Sequence, residues 1–323
     1  VPVQYVGAGE YEVSCNRCGE RRSTYAPSDR ETTDPRTGER LDRIFSFSSR
    51  RQTWRSTCRA CARQHRAARP RAPRSRRVAG MALGLGRTFG VELELIFPRH
   101  VRREQIALAL SDAGLTGWRV KSDGSLYGGN GLEVVSPVLS GEDGIDAVRT
   151  ACRVLNRLGA KPNRSCGLHV HHGARDLTVA AVKALARTWS RNQGIIDGLV
   201  SPSRRNGGSY YCRPLTSNDL IRIERIRDLR TLSGLDRYRS LNLASYGRHG
   251  TVEIRQHQGT CDAEKVVSWI RFGQAIIDTA ITEGEQTQTS RVRDFFGQLG
   301  DRLDETARTF LLGRAVEFGA VTV

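Results

Sequence analysis

Four short stretches of the 323-residue chain set acid, imidazole or guanidinium side chains at alternating positions. They are Glu92 and Glu94 in F-G-V-E-L-E-L (89–95); Glu133 in L-E-V-V (132–135), with Asp123 ahead of it; His169 and His171 in C-G-L-H-V-H-H-G (166–173); and Glu253 and Arg255 in T-V-E-I-R-Q-H (251–257). Apolar residues fill the positions between, so strands here would turn the polar set to one face and the apolar set to the other. Two carboxylates on one strand face stand about 7 Å apart and repel unless a cation lies between them. Carboxylates suit Mg2+ or Mn2+, a histidine pair suits a metal or a phosphate, and arginine forks onto phosphate oxygens. Two or more divalent ions beside an arginine are equipment for phosphoryl transfer from a nucleotide. Taken alone, 89–95 reads equally well as a solvated strand face. Four such stretches, two of them carrying strand-face histidines or an arginine, favour a shared floor. No Walker loop or dinucleotide fingerprint is present.

The segments between must position these strands. Periodicity predicts helices at 103–115, 140–159, 178–193, 218–232 and 263–282, with one or two more in 290–319. Ser140, Thr178 and Asp262 are the N-cap candidates. Strands are expected at 89–95, 118–126, 132–135, 166–173 and 238–244, the last forming a hairpin with 251–257 through a turn at 246–250. In that hairpin Val252 and Ile254 face the core, while Glu253, Arg255 and His257 share the other face. His172 and Cys166 read as structural. The loop 201–217, rich in Gly, Ser and Arg, is a candidate lid. The fold class is therefore α+β: a mostly antiparallel sheet with helices on one face and a concave polar face opposite, plus a small N-terminal module.

That module is read from cysteine spacing. Cys15-x-x-Cys18 and Cys58-x-x-Cys61 offer four thiolates, the number a tetrahedral structural zinc needs. The second pair opens a helical, arginine-rich run, which resembles a treble-clef or ribbon-like module. Phe45, Phe47 and Trp54 are a mini-core or a stacking surface. The predicted division is a zinc-binding module at 1–66, a basic linker at 67–87 and a catalytic domain at 88–323.

Net charge is +17, and only Lys121, Lys161, Lys183 and Lys265 are lysines. Residues 50–77 hold eleven arginines and no acid, which suits nucleic acid or another anionic partner, or a solvated linker. No run of apolar residues is long enough to span a membrane, and the paired cysteines point to metal in a cytoplasmic protein.

Four motifs in order, G-V-E-L-E-L at 90–95, D-G-S-L with L-E-V-V-S-P at 123–137, C-G-L-H-V-H at 166–171 and G-T-V-E-I-R-Q-H at 250–257, resemble the amidoligases. These are carboxylate–amine ligases of the glutamine synthetase and glutamate–cysteine ligase fold. The resemblance implies that Glu92, Glu94, Glu133, His169 and Glu253 hold the Mg2+ or Mn2+ ions of bound ATP. It further implies that His171 lies near the transferred phosphate, that Arg255 contacts phosphate, and that Arg239 and Asn242 contact phosphate or substrate. The implied activity is ATP-dependent joining of a carboxylate to an amine, from an amino acid, peptide or protein, through an acyl phosphate. The competing readings are a zinc-module nucleic-acid-binding protein with metal-dependent nuclease activity, and a phosphotransferase on the same fold.

Overall fold

The computed structural model describes residues 3–7, 10–15, 20–24, 31–48, 53–60 and 86–319. The chain divides into two compact units, Val1–Met81 and Ala82–Val323.

In the first unit β1 (Val3–Gly7), β2 (Glu10–Ser14) and β3 (Arg21–Thr24) form an antiparallel sheet, and β4 (Phe45–Ser48) pairs with β5 (Thr53–Cys58). Val13, Cys15, Leu41 and Phe45 are buried together. The backbone N–H of Cys15 donates to the carbonyl of Glu20. Cys58 ends a strand opposite Phe45, and Arg59 and Ala60 directly after it are helical, so the expected helix begins one residue later than Cys58 as far as the described residues run. Cys18 and Cys61 lie outside the described residues, as do the side chains of Cys58, Phe47 and Trp54 and most of the basic tract.

The second unit is built on one six-stranded sheet. Its strands are β6 (Phe89–Phe97), β7 (Arg119–Ser122), β8 (Asn130–Val135), β9 (Gly167–Gly173), β10 (Leu241–Asn242) and β11 (Thr251–Gln258). Their spatial order is β10-β11-β9-β6-β8-β7, every neighbouring pair antiparallel. Strict alternation in β6 buries Phe89, Val91, Leu93, Leu95 and Phe97 in the core, with Leu168, Val170, Val252 and Ile254 of neighbouring strands. Residues of the helices Gly141–Arg157, Val179–Arg191 and Ala263–Thr282 complete that core. Where Ala263–Thr282 crosses the sheet, Gly273 lets the backbone approach; a Cβ there would collide with the His172 ring and stand 2.8 Å from Ile254 Cδ1.

Caps follow the sequence in part. Thr178 Oγ1 accepts from the Ala181 N–H at 3.1 Å, and Asp262 caps Ala263–Thr282. Ser140 occupies its N-cap position without a side-chain bond. The helix expected over 218–232 is Ser217–Arg225 followed by a 3-10 segment, Leu229–Gly234, because Asp228 caps the second piece separately. The expected turn at 246–250 is a short helix, Ser245–His249, ended by Gly250 at φ 69°. Among the described residues no helix is long and apolar enough to cross a membrane.

One expectation about faces is overturned. Ile254 pairs with Val170 and His257 with Leu168, so β11 carries one extra residue between them, a bulge at Arg255–Gln256. The extra residue reverses the alternation. His257 therefore lies in the core, 5.1 Å from Trp269 between ring centroids, rather than on the face of Glu253.

Candidate active site

Cross-strand register brings the polar residues together. Glu92 stands opposite His169, Glu94 opposite Glu133, and Glu253 opposite both His171 and Asn242. His169 Nδ1 lies 3.3 Å from Glu92 and 3.8 Å from Glu253, and its Nε2 3.6 Å from Glu94. His171 Nε2 lies 3.6 Å from Glu92 and 3.8 Å from Glu253, while its Nδ1 faces Thr251 Oγ1 at 2.9 Å. These distances gather residues from Glu92 to Glu253, 161 positions apart in the chain, onto one side of the sheet. A cavity of about 300 Å3 opens there, lined by Glu92, Glu94, Asp123, Glu133, His169 and Arg255 among others.

Three groups of ligand atoms, each within 4.8 Å, occur among the described residues: Glu92, His171 and Glu253; Glu92, Glu133 and His169; Glu94, Asp123 and Glu133. Carboxylate oxygens, joined by one imidazole in each of the first two groups and by none in the third, are donor sets that fit Mg2+ or Mn2+. Asp123 also keeps the turn role its sequence suggests, accepting from the Ser125 N–H at 2.8 Å.

The electrostatics are those of crowded acids. Burial works against the Glu92 carboxylate, yet hydrogen bonds from His169 and His171 outweigh it and hold its carboxyl well below the usual range. Burial, then the charge of Glu92, pushes Glu133 up, although Lys121 lies 3.1 Å away. Glu253 is buried, which opposes ionisation, but Arg255 and the two histidines hold its carboxyl low. His171 is pushed up by Glu92 and Glu253 against the effect of its own burial.

The flanking residues divide. Arg255 lines the cavity and is tied on both sides, by an ion pair to Glu253 and by its Nε to the Tyr211 carbonyl at 3.1 Å. Asn242 donates to Glu253 Oε2 at 2.5 Å, so it orients an acid. Arg239 is not brought into the cavity: its guanidinium pairs with Asp219 at 2.9 Å and Asp236 at 3.5 Å. Arg204, Arg237, Tyr211 and Tyr238 do line it, all from coil or 3-10 segments: Arg204 and Tyr211 lie in the loop expected as a lid, and Tyr238 precedes the strand Leu241–Asn242, which is shorter than the expected 238–244. The 201–217 loop is fastened: Gln256 reaches both Asp197 and the Arg204 carbonyl.

A protein-family model described as "Putative amidoligase enzyme" matches residues 85–277, more than half of the chain. The chain belongs to that family. All four amidoligase motifs, and every residue of the carboxylate–imidazole cluster, fall inside the matched segment. Two solved structures are similar at low identity. One, described as "Crystal structure of novel glutamine synthase homolog", shares 13% identity at a TM-score of 0.38, over 72% of this chain and 65% of its own. The other, "GmaS/ADP complex-Conformation 1", shares 13% at a TM-score of 0.40, over 72% and 69%. The amidoligase chain thus spans just under two thirds of the first structure's length. No curated protein matches it.

Proposed function

We propose that this amidoligase is an ATP-dependent carboxylate–amine ligase that forms an amide or isopeptide bond through an acyl phosphate. The observation that carries the reading is the convergence of Glu92, Glu94, Glu133, His169, His171 and Glu253 on one sheet face, within a chain of the amidoligase family. Glu92, Glu94, Glu133, His169 and Glu253 would hold Mg2+ or Mn2+, which would offset phosphate charge. His171, with its Nδ1 anchored by Thr251 and Ser245, presents Nε2 toward the acids and would stand beside the transferred group. Arg255 holds Glu253 in place and adds positive charge to the cavity wall. The acid substrate's carboxylate would take the terminal phosphoryl of ATP, releasing ADP; the amine would then displace phosphate and give up a proton. No side-chain nucleophile is required.

Incubation with ATP, Mg2+ and pooled amino acids or peptides tests this. Amine-stimulated release of ADP and phosphate, with a product lighter than its parts by one water in mass spectrometry, is expected. A phosphorylated product without amide, or nucleic acid cut with Mg2+ alone, would overturn it.

Gly167 supplies a local test. Its N–H donates to Glu94 at 2.6 Å, and a Cβ there would stand 2.9 Å from His169 Nε2 and 3.2 Å from Glu94 Oε2. Gly167→Ala is expected to weaken Mn2+ binding about tenfold or more by pushing these two groups apart, the displacement costing about 1–3 kcal/mol. A calorimetric titration with Mn2+ checks it.

We further propose that 1–66 is a zinc module, joined by a basic linker at 67–87 to the ligase domain at 88–323. Its ligands would be Cys15, Cys18, Cys58 and Cys61. The paired spacing and the burial of Cys15 in a small core support this. Elemental analysis is expected to find one zinc per chain, lost when Cys15 and Cys18 are both replaced by serine. The arginine block at 50–77 would recruit an anionic partner, nucleic acid or an acidic protein, to a cytoplasmic enzyme.

A further inference from the structure

Arg204 is a guanidinium placed where a cation is costly. It is 3% exposed, yet it makes no ion pair among the described residues. Its one strongly held edge, Nη2, donates to the carbonyls of Ser165 and Cys166. Its Nε has no partner, and Nη1 meets only the Cys212 sulfur at 3.9 Å. A buried charge without a counter-ion is expensive and persists where something else supplies the opposite charge.

Its position says what that is. Arg204 lines the cavity, and the gap left by the missing side chain of Gly167 lies between Arg204 Nη1, His169 Nε2 and Glu94 Oε2. Arg255, on the same wall, is already committed to Glu253 and the Tyr211 carbonyl. Arg237, also on that wall and also without an ion pair among the described residues, is exposed and lies over the Tyr238 ring, so the buried unspent positive charge of the site sits on Arg204. We propose that Arg204 is the residue that takes the terminal phosphate of the bound nucleotide, with its Nη2 edge fixed to the Ser165–Cys166 turn and its Nη1 edge turned to the phosphate oxygens. The proposal rests on the ligase reading above, since it requires a polyphosphate held beside Glu94 and His169. Carboxylates alone would repel such a group; ions held by them and a guanidinium facing them would not.

Equilibrium binding to the full chain decides it. The probes are Mg2+ with AMP-PNP, Mg2+ with tripolyphosphate, and AMP, titrated into wild type, Arg204→Gln and Arg204→Lys. Gln keeps an amide donor for the Cys166 carbonyl, and the melting temperature of each variant reports on the fold. In Arg204→Gln, affinity for AMP-PNP and tripolyphosphate is expected to fall about 10–100-fold, the range of one or two charge-assisted hydrogen bonds, with partial recovery in Arg204→Lys. Affinity for AMP, which lacks the terminal phosphate, should not change. Equal losses for AMP and AMP-PNP, or no loss for either, overturn the assignment. A wild-type chain that binds tripolyphosphate but no nucleotide overturns the ligase reading, while a loss of tripolyphosphate in Arg204→Gln still supports Arg204 as the phosphate residue. A wild-type chain that binds neither overturns both.

Discussion

Glu92→Gln is expected to reduce ATP-dependent amide formation by at least about 100-fold while the protein stays folded. Glu92 belongs to two of the three candidate ligand groups, more than His169, His171 or Glu253 does, and its oxygens face both histidines. Gln preserves shape and length but removes the charge, so an ion shared between the two groups would lose a ligand on each side. The fold should survive because the side chain sits on the polar face, whereas its strand neighbours Val91 and Leu93 are in the core. The protein loses hydrogen bonds from two imidazoles, a cost of about 1–3 kcal/mol if both matter. Steady-state assay and thermal melting on the same preparation check the pair of expectations. Wild-type turnover in the variant would remove Glu92 from the ion-holding set and with it the centre of the proposed floor.

Acidification from pH 7.5 to 5 is expected to destabilise the second unit, with a slope approaching roughly 2.7 kcal/mol per pH unit below about 6.5. His172 and His257 are both buried in the core and both pushed down to about 3 by that burial. In the unfolded chain each takes a proton near pH 6.5; in the folded chain neither does until near pH 3. The unfolded state thus binds more protons, and stability present above pH 6.5 is lost as the pH falls. His249, lowered by its own burial and by the nearby His171 charge, acts in the same direction. His171 acts oppositely: its folded pKa is raised, so its contribution is present at low pH and lost as pH rises. His171's opposing change falls above about pH 6.5, so below it the two deeply buried groups set the slope. Below about pH 4.5, Glu92 and Glu253, both held low in the folded state, add to the loss. Urea unfolding across this range gives the slope. A flat profile between pH 7.5 and 5 would mean that His172 and His257 are not neutral core residues.

Much of this site is legible in the chain because a strand's period is two. The alternation in 89–97 fixes both the core face and the acid face of β6, and the same rule places His169, His171 and Glu133. It fails at His257 for a definite reason. A bulge adds one residue without leaving a compositional mark, and one residue is enough to exchange the faces. Arg239 has the right spacing for the polar side, but Asp219 and Asp236, which claim it, approach through the fold and not through the local pattern. Arg204 was visible only as one arginine among many in a loop. Its burial depends on the carbonyls of Ser165 and Cys166, some forty residues away, and no local pattern announces such a partner. Helix ends are legible where a side chain caps them, as at Thr178 and Asp262, and hidden where Asp228 splits one expected helix into two pieces.

The bulge in β11 ties two selective pressures together. On one side of it Arg255 lines the cavity and pairs with Glu253; on the other Gln256 is locked to Asp197, and His257 lies against Trp269. Drift at Asp197 or Trp269 would therefore be felt as a misaimed Arg255 before it is felt as a loose core. A library of random variants screened for activity alone should return inactivating changes at these two inward-facing positions, and second-site suppressors there should come from neighbouring packing rather than from the polar floor.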